Sequence, residues 1–307
     1  MEQKEKLKQI FRLSRFLPVS LGAVSAALLV RILQLNLAVD FATGFFQEDT
    51  FLVPLLAVIL LLYLAYAVIV LLLHPLRLEQ PYKMKNPLPA AVIFGAAGIL
   101  LLLEGIIALF GTDGMLERIT TLLEAASGAV LLYHAVLLWK KEQKRLQNHV
   151  FFLVPALWSV LELVCIFVHH TTVANISSYI FEILFSAALV LFLVYYARYT
   201  AGLLRRDQKR QLMISGVFAV ALGAVTSVPP LFCRLAEYSG IGSQIILPGF
   251  SSLAFTLISG LLLFLFVRET LASGQNSSTG SAFECEYGCE SVGVEGLYRP
   301  NRSRRKR

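Results

Sequence analysis

Residues 51–73 read FLVPLLAVILLLYLAYAVIVLLL. The run contains no ionisable side chain except Tyr63 and Tyr66. Its length matches the roughly 20 apolar residues that an α-helix needs to cross the hydrocarbon core of a bilayer. We therefore predict a transmembrane helix here, and its uniform apolar surface predicts that it faces lipid.

Similar apolar runs, each bounded by charged or turn residues, recur along the whole chain. Hydrophobic residues make up 57% of the 307 residues and charged residues 15%, whereas soluble domains carry about 25% charged residues. The pattern predicts an all-α integral membrane helical bundle with eight transmembrane helices in up-down hairpins. The predicted helices are 17–38, 51–73, 88–110, 119–139, 150–168, 177–203, 212–233 and 246–267.

Lysine and arginine residues are concentrated in alternate non-membrane regions. Of the 27, 24 lie in residues 1–16, in the loops after the second and fourth helices, between Arg198 and Arg210, or from Arg268 to the C-terminus. Arg118 and Arg234 fall on the opposite side, and Arg31 lies inside the first helix. The positive-inside rule then places both termini in the cytoplasm. It makes residues 1–16 a basic cytoplasmic N-terminus and residues 17–268 the transmembrane domain.

Residues 269–307 differ sharply in composition from the rest of the chain. They contain SGQNSSTGS and end in RPNRSRRKR, which predicts a disordered basic cytoplasmic tail. We expect this tail and the basic loops to contact anionic lipid headgroups. Nucleic acid is not expected as a partner, because no aromatic platform accompanies the charge. Cys285 and Cys289 are interpreted as reduced thiols, with a redox or metal role as the alternative.

Four predicted helices carry a glutamate at a similar depth below their outer ends: Glu104, Glu124, Glu162 and Glu182. Arg31 on the first helix lies at nearly the same level. At 1.5 Å per residue, this layer is roughly 10 Å below the outer surface. An ionised side chain there is costly unless it turns inward and finds a partner. We therefore predict that these five side chains face one another and form a buried acidic site.

Polar residues extend these faces along the helices. Trp158 and Cys165 share the face of Glu162 on the fifth helix, at helical spacing. The two pairs Glu104–Glu124 and Glu162–Glu182 have the same separation along the chain, which also allows a duplicated hairpin. On the fourth helix, one stripe contains Thr120, Glu124, Ser127, Leu131 and His134.

His169, His170 and Asn175 are placed at the start of the outer loop after the fifth helix. They could contact a ligand or sense pH, or the histidines could form a solvated pair at the membrane surface. Adjacent histidines project in different directions, so no metal site is predicted there. No cofactor-binding motif occurs in the sequence.

The acidic layer allows more than one function. Buried carboxyl groups can simply join helices through hydrogen bonds. Alternatively, they can bind or transport a cation, a proton or a cationic small molecule, which is the interpretation we favour. A membrane sensor or partner subunit that signals to the cytoplasmic loops is the second hypothesis. An intramembrane enzyme that uses the glutamates as acid and base is the third, and it is less favoured because no catalytic motif appears.

The stretch from Leu157 to Arg198 contains LW, HHTTVANIS, FEIL and YYAR. In these residues the chain resembles an uncharacterised family of bacterial multi-pass membrane proteins. The resemblance implies a bacterial cytoplasmic membrane as the location. It implies no catalytic or binding role for any residue.

Overall fold

A computed structural model describes residues 13–37, 51–73, 87–111, 114–141, 151–170, 176–201, 203, 206–235 and 250–283. Regular structure within these ranges is entirely α-helical, which confirms the predicted all-α class. The eight helices are α1 Leu13–Leu37, α2 Leu52–Leu73, α3 Leu88–Leu109, α4 Met115–Trp139, α5 Leu153–His170, α6 Ile176–Thr200, α7 Arg206–Leu235 and α8 Phe250–Phe283.

Seven of these helices, all except α5, are long and apolar enough to cross a membrane by length and composition. The apolar part of α5, Leu153–Val168, is shorter. Large apolar side chains point outward, including Leu61 at 67%, Ile107 at 71% and Phe110 at 89% exposed. Because a soluble protein rarely exposes large contiguous apolar patches to water, the helices indicate a multi-pass membrane protein.

Helix α2 is packed along one face, although the sequence predicted a lipid-facing helix. The buried positions recur at helical spacing, and the helix contacts α1 and α7. Hydropathy does not distinguish a packed face from a lipid-exposed face when both are equally apolar. The buried residues of α2 are Leu56, Leu60, Tyr63, Leu64, Ala67, Val70 and Leu71.

The last helix is longer than the sequence predicted. It begins at Phe250 and continues to Phe283, beyond the predicted end at residue 267. Extending an existing helix requires no new nucleation, so polar residues can continue one that an apolar run has started. The chain divides into two compact units, Met1–Leu271 and Ala272–Arg307. Residues 1–12 and 284–307, with Cys285 and Cys289, lie outside the described residues.

Most helices that follow each other in sequence pack side by side. From α3 to α7 each helix contacts the next, and α1 and α2 contact each other and α7. Helix α7 is the most buried of the seven candidate spans. Helix α8 packs against α7, where a Cβ placed on Gly216 would meet Leu263 at 3.2 Å. It also contacts α5 through the stacked rings of Trp158 and Phe255.

Helices α3 and α4 approach each other backbone to backbone. A Cβ on Gly105 would lie 2.6 Å from the amide nitrogen of Ala125, and one on Gly128 would lie 2.6 Å from that of Leu102. These distances exclude any side chain, so glycine permits the close approach. Gly105 follows Glu104 in sequence, and Ala125 follows Glu124. The contact therefore brings these two glutamates to the same level of the bundle.

We expect Gly105→Ala to destabilise the protein by about 1–3 kcal/mol, because the added methyl group would push against the backbone of α4. Gly22→Ala is the matched control, since nothing lies within 4 Å of a Cβ at that position in α1. Chemical unfolding in detergent micelles measures both changes. Equal stability of the two variants would contradict close packing of α3 against α4.

Candidate functional site

The four glutamates come together at one end of the bundle. Glu124 interacts electrostatically with Glu104 on α3 and Glu162 on α5, and Glu162 interacts with Glu182 on α6. Glu124 is buried at 8% exposed, and the other three are partly buried. The Gly105–Ala125 contact explains the proximity of Glu104 and Glu124. The packing of α5 against α6 explains that of Glu162 and Glu182.

Glu104 connects α3 to the beginning of α8. Its Oε2 accepts a hydrogen bond from the backbone N–H of Ser251 at 2.6 Å, and its carboxyl group also accepts one from the N–H of Phe250. Phe250 and Ser251 begin α8, where backbone N–H groups have no partner within the helix. The helix dipole also favours a negative charge at this position. Glu104 therefore caps α8 from a neighbouring helix.

Glu124 completes this arrangement. Its carboxyl group forms a hydrogen bond with that of Glu104 and also contacts the hydroxyl of Ser251. A hydrogen bond between two carboxyl groups requires a proton on one of them, because carboxylate oxygens only accept. Glu104, Glu124 and Ser251 thus form a connected polar network between α3, α4 and α8.

Glu162 and Glu182 line a separate feature, a cavity of about 40 Å³ bounded by α5, α6, α7 and α8. A water molecule needs about 10–15 Å³ on the same measure, so the cavity has room for a few waters or a small ion. Ser251 lies in its wall and so belongs both to this cavity and to the Glu104–Glu124 network. The other polar side chains that line it are Trp158, Ser159, Ser186, Thr226 and Ser252.

Two hydroxyl groups of the cavity wall already donate their protons to backbone carbonyls. Thr226 Oγ1 donates to the carbonyl of Leu222 at 3.0 Å, and Ser159 Oγ donates to that of Ala156 at 2.8 Å. Their oxygens can then only accept. Trp158 differs, because its Nε1–H is a donor with no acceptor among the described residues, and the side chain is 2% exposed. The wall thus combines two acidic groups with one donor that lacks an acceptor.

Arg31 approaches the site from α1. Its Nη1 donates to Oε1 of Gln34 at 2.9 Å, and the guanidinium carbon lies 5.7 Å from the centre of the Phe181 ring. This is a cation–π distance. Phe181 directly precedes Glu182 on α6. Arg31 therefore contacts the sequence neighbour of a glutamate that lines the cavity. Arg31 is 5% exposed.

The predicted stripe on α4 is buried along its length, from Thr120 through Glu124 and Ser127 to His134. Thr120 Oγ1 on α4 is 3.3 Å from Sγ of Cys165 on α5. His169 and His170 are the last two residues of α5, and their side chains lie outside the described residues, as does Asn175. Within the described ranges, no group of three or more His, Cys, Asp or Glu side chains could hold a metal ion.

Two parts of this region were not predicted from the sequence. The first is the contribution of Ser251 and Ser252. Its one signal in the sequence is that a pair of serines begins the last apolar run. The other missed feature surrounds His134, about 15 Å along α4 from Glu124. The His134 ring lies 4.6 Å from the ring centres of both Phe94 and Phe152, and its Nε2 is 3.5 Å from the Tyr196 hydroxyl.

No family model matches the chain, and no curated protein and no solved structure matches it. The resemblance described for residues 157–198 stays a prediction. The residues around the cavity provide the basis for a functional assignment.

We expect Glu104→Ala to lower the free energy of unfolding by about 1–3 kcal/mol, because the N–H groups at the start of α8 lose a buried acceptor. Glu104→Gln keeps an acceptor oxygen and should cost less. The control is Glu117→Ala, at an exposed position in the first turn of α4. Hydrogen exchange of a peptide that contains Phe250 and Ser251 should accelerate in Glu104→Ala alone. Unchanged exchange would show that Glu104 does not cap α8.

Proposed function

We propose that this membrane protein binds a small cation at Glu162 and Glu182. The observation that supports the proposal is the cavity between α5, α6, α7 and α8, to which both carboxyl groups contribute. Two carboxylates at one cavity repel each other unless a cation or a proton lies between them. The volume of about 40 Å³ favours a proton or an inorganic ion over a larger organic cation. Glu104, Glu124 and Arg31 are proposed as supporting groups of this site.

We also propose eight crossings with both termini in the cytoplasm of a bacterial cell. Helix α4 ends at Trp139 and is followed by Lys140 and Lys141, and Arg198 lies in the last turn of α6. If these basic ends lie on the same side, the chain must cross the membrane once more between them, in α5. With 18 residues, α5 is about 27 Å long, close to the roughly 30 Å of a hydrocarbon core. The basic ends would then contact anionic lipid headgroups.

A sensor or partner subunit is the second candidate function, ahead of a transporter. The observation that favours it is the packed aromatic cluster around His134, in which Phe94, Phe152 and Tyr196 enclose the imidazole. His134 itself is 5% exposed. These rings pack about 15 Å along α4 from Glu124, which supports a site that opens to one side. Occupancy would then be transmitted by movement of helices rather than by passage of the ion.

Carbodiimide labelling tests the cation site, because this reagent modifies protonated carboxyl groups in apolar surroundings. We expect modification of Glu162 or Glu182 to depend on pH, or on added Na⁺, K⁺, Li⁺ or NH₄⁺ if such an ion competes with the reagent. Exposed Glu117 is the internal control. Mass spectrometry of the digested protein measures the modification at each residue.

Glu162→Gln and Glu182→Gln should fold as well as the wild-type protein or better, because each removes a costly buried charge. They should lose any stabilisation that protons or cations confer on the wild-type protein, as measured by thermal unfolding in detergent at pH 5 to 8. The cation site would be refuted if labelling and stability of the wild-type protein ignored both pH and every cation. The glutamates would then serve helix packing.

Orientation is tested with single cysteines in a chain whose four native cysteines are replaced by serine. Cysteines at Thr172 and Gly240 should react with a membrane-impermeant thiol reagent added to intact cells. Cysteines at Gln143 and Gln208 should react after the cells are lysed. The reverse pattern would place the acidic site in the inner half of the membrane.

A further inference from the structure

Trp158 lines the cavity and carries a buried hydrogen-bond donor. Its ring is stacked on Phe255 with the ring centres 5.0 Å apart and the planes at 19°, so its orientation is held by α8. The residue lines the same cavity as Glu162 and Glu182. Its Nε1–H has no acceptor among the described residues. A buried polar group without a partner is costly, so this N–H calls for an acceptor, and the cavity that Trp158 lines has room for one.

Four other groups in the wall call for a hydrogen-bond donor. The carboxyl groups of Glu162 and Glu182 accept hydrogen bonds, as do the oxygens of Ser159 and Thr226, whose hydroxyl protons are already donated to backbone carbonyls. An occupant of the cavity must therefore both accept from an indole N–H and donate to carboxylates. Water does both, and about 40 Å³ holds roughly two or three molecules.

We propose that the cavity binds water and a proton rather than a metal ion, with Trp158 as the residue that sets this preference. The proposal rests on the cation site described above and specifies its ligand. Water accepts from Trp158 Nε1–H and donates to Glu162 and Glu182. A proton enters as hydronium, whose O–H bond breaks as an O–H bond forms on one carboxylate oxygen, leaving water. A metal ion offers the indole N–H no acceptor, and the positive end of that bond repels it.

Other titratable and charged groups near the pair are held by their own contacts. Glu104 on α3 accepts from the amide of Ser251 and is bonded to Glu124 on α4. Cys165 on α5 contacts Thr120, and Arg31 on α1 contacts Gln34 and Phe181. Helices α7 and α8 contribute hydroxyl groups to the cavity wall. Glu162 and Glu182 are thus the carboxyl groups that directly adjoin the proposed water.

The test uses Trp139→Phe, which leaves Trp158 as the single tryptophan of the two in the sequence. Trp139 is 64% exposed at the end of α4, so its replacement should not disturb packing. Ultraviolet resonance Raman spectroscopy reports hydrogen bonding and deuterium exchange of an indole N–H. In D₂O we expect the Trp158 N–H to exchange within minutes and to show the signature of a hydrogen-bonded group.

The same signal should change between pH 5 and 9, and Na⁺, K⁺, Ca²⁺ or Mg²⁺ at constant pH should leave it unchanged. Glu162→Gln combined with Glu182→Gln should abolish the pH response and keep the N–H exchange. Trp139→Phe combined with Trp158→Phe, which contains no tryptophan, gives the background signal. Because the first two measurements need no change in the cavity, they stand even if the double variant does not fold.

Two results would overturn the proposal. An indole N–H that fails to exchange for hours and lacks a hydrogen-bond signature would show a dry cavity. A response to Na⁺ or Ca²⁺ equal to the response to protons would show a metal-ion site. Carbodiimide labelling distinguishes these two results from the absence of any cation site at Glu162 and Glu182. Labelling that still responds to pH or cations leaves that site standing, whereas labelling that ignores both removes it.

Discussion

The backbone contact between α3 and α4 is the constraint on which the acidic end of the bundle depends. Gly105 and Gly128 bring the two helices closer than any side chain would permit. The residues that precede Gly105 and Ala125 are glutamates, so the closest approach of the helices also sets the spacing of Glu104 and Glu124. The hydrophobic effect contributes little to helix association in lipid, because the surroundings are as apolar as the side chains. The close approach at the glycines instead stabilises the pair through van der Waals packing.

The four glutamates divide into two pairs with different environments. Glu104 and Glu124 are bonded to each other and to the beginning of α8, so their polar atoms are used within the protein. Glu162 and Glu182 face a cavity. Ser251 connects the pairs, since its backbone and hydroxyl contact the first pair and its side of α8 lines the cavity. Glu104 and Glu124 thus position the beginning of α8, which forms one wall of the cavity that Glu162 and Glu182 line.

Much of the fold could be read from the sequence, because apolar runs of membrane length have few alternatives. The buried stripe of α4 was also readable, since Thr120, Glu124 and His134 mark one face with polar atoms among apolar neighbours. The packed face of α2 could not be read, because its two faces have the same composition. The extension of α8 to Phe283 escaped prediction because polar residues alone rarely start a helix.

The site was predictable as a set of residues but not as an arrangement. Equal depth and shared faces brought Glu104, Glu124, Glu162 and Glu182 to one layer. Their division into pairs depends on which helices pack together, and the pairs are connected by Ser251, which is far from all four in sequence and carries no charge. The significance of Trp158 was likewise hidden, because the absence of an acceptor for its N–H is a property of the surrounding helices.

The close pairing of α3 with α4 also bears on how the chain enters the membrane. Helix α3 ends at Leu109 and α4 begins at Met115, so the two emerge from the ribosome in quick succession. A lone glutamate is costly for the translocon to release into lipid. Two glutamates that share a proton in a hydrogen bond carry one negative charge instead of two. Their bonded oxygen atoms are also shielded from the acyl chains. We expect this hairpin to leave the translocon as a single unit, with its glycines acting during biosynthesis before they serve the finished fold.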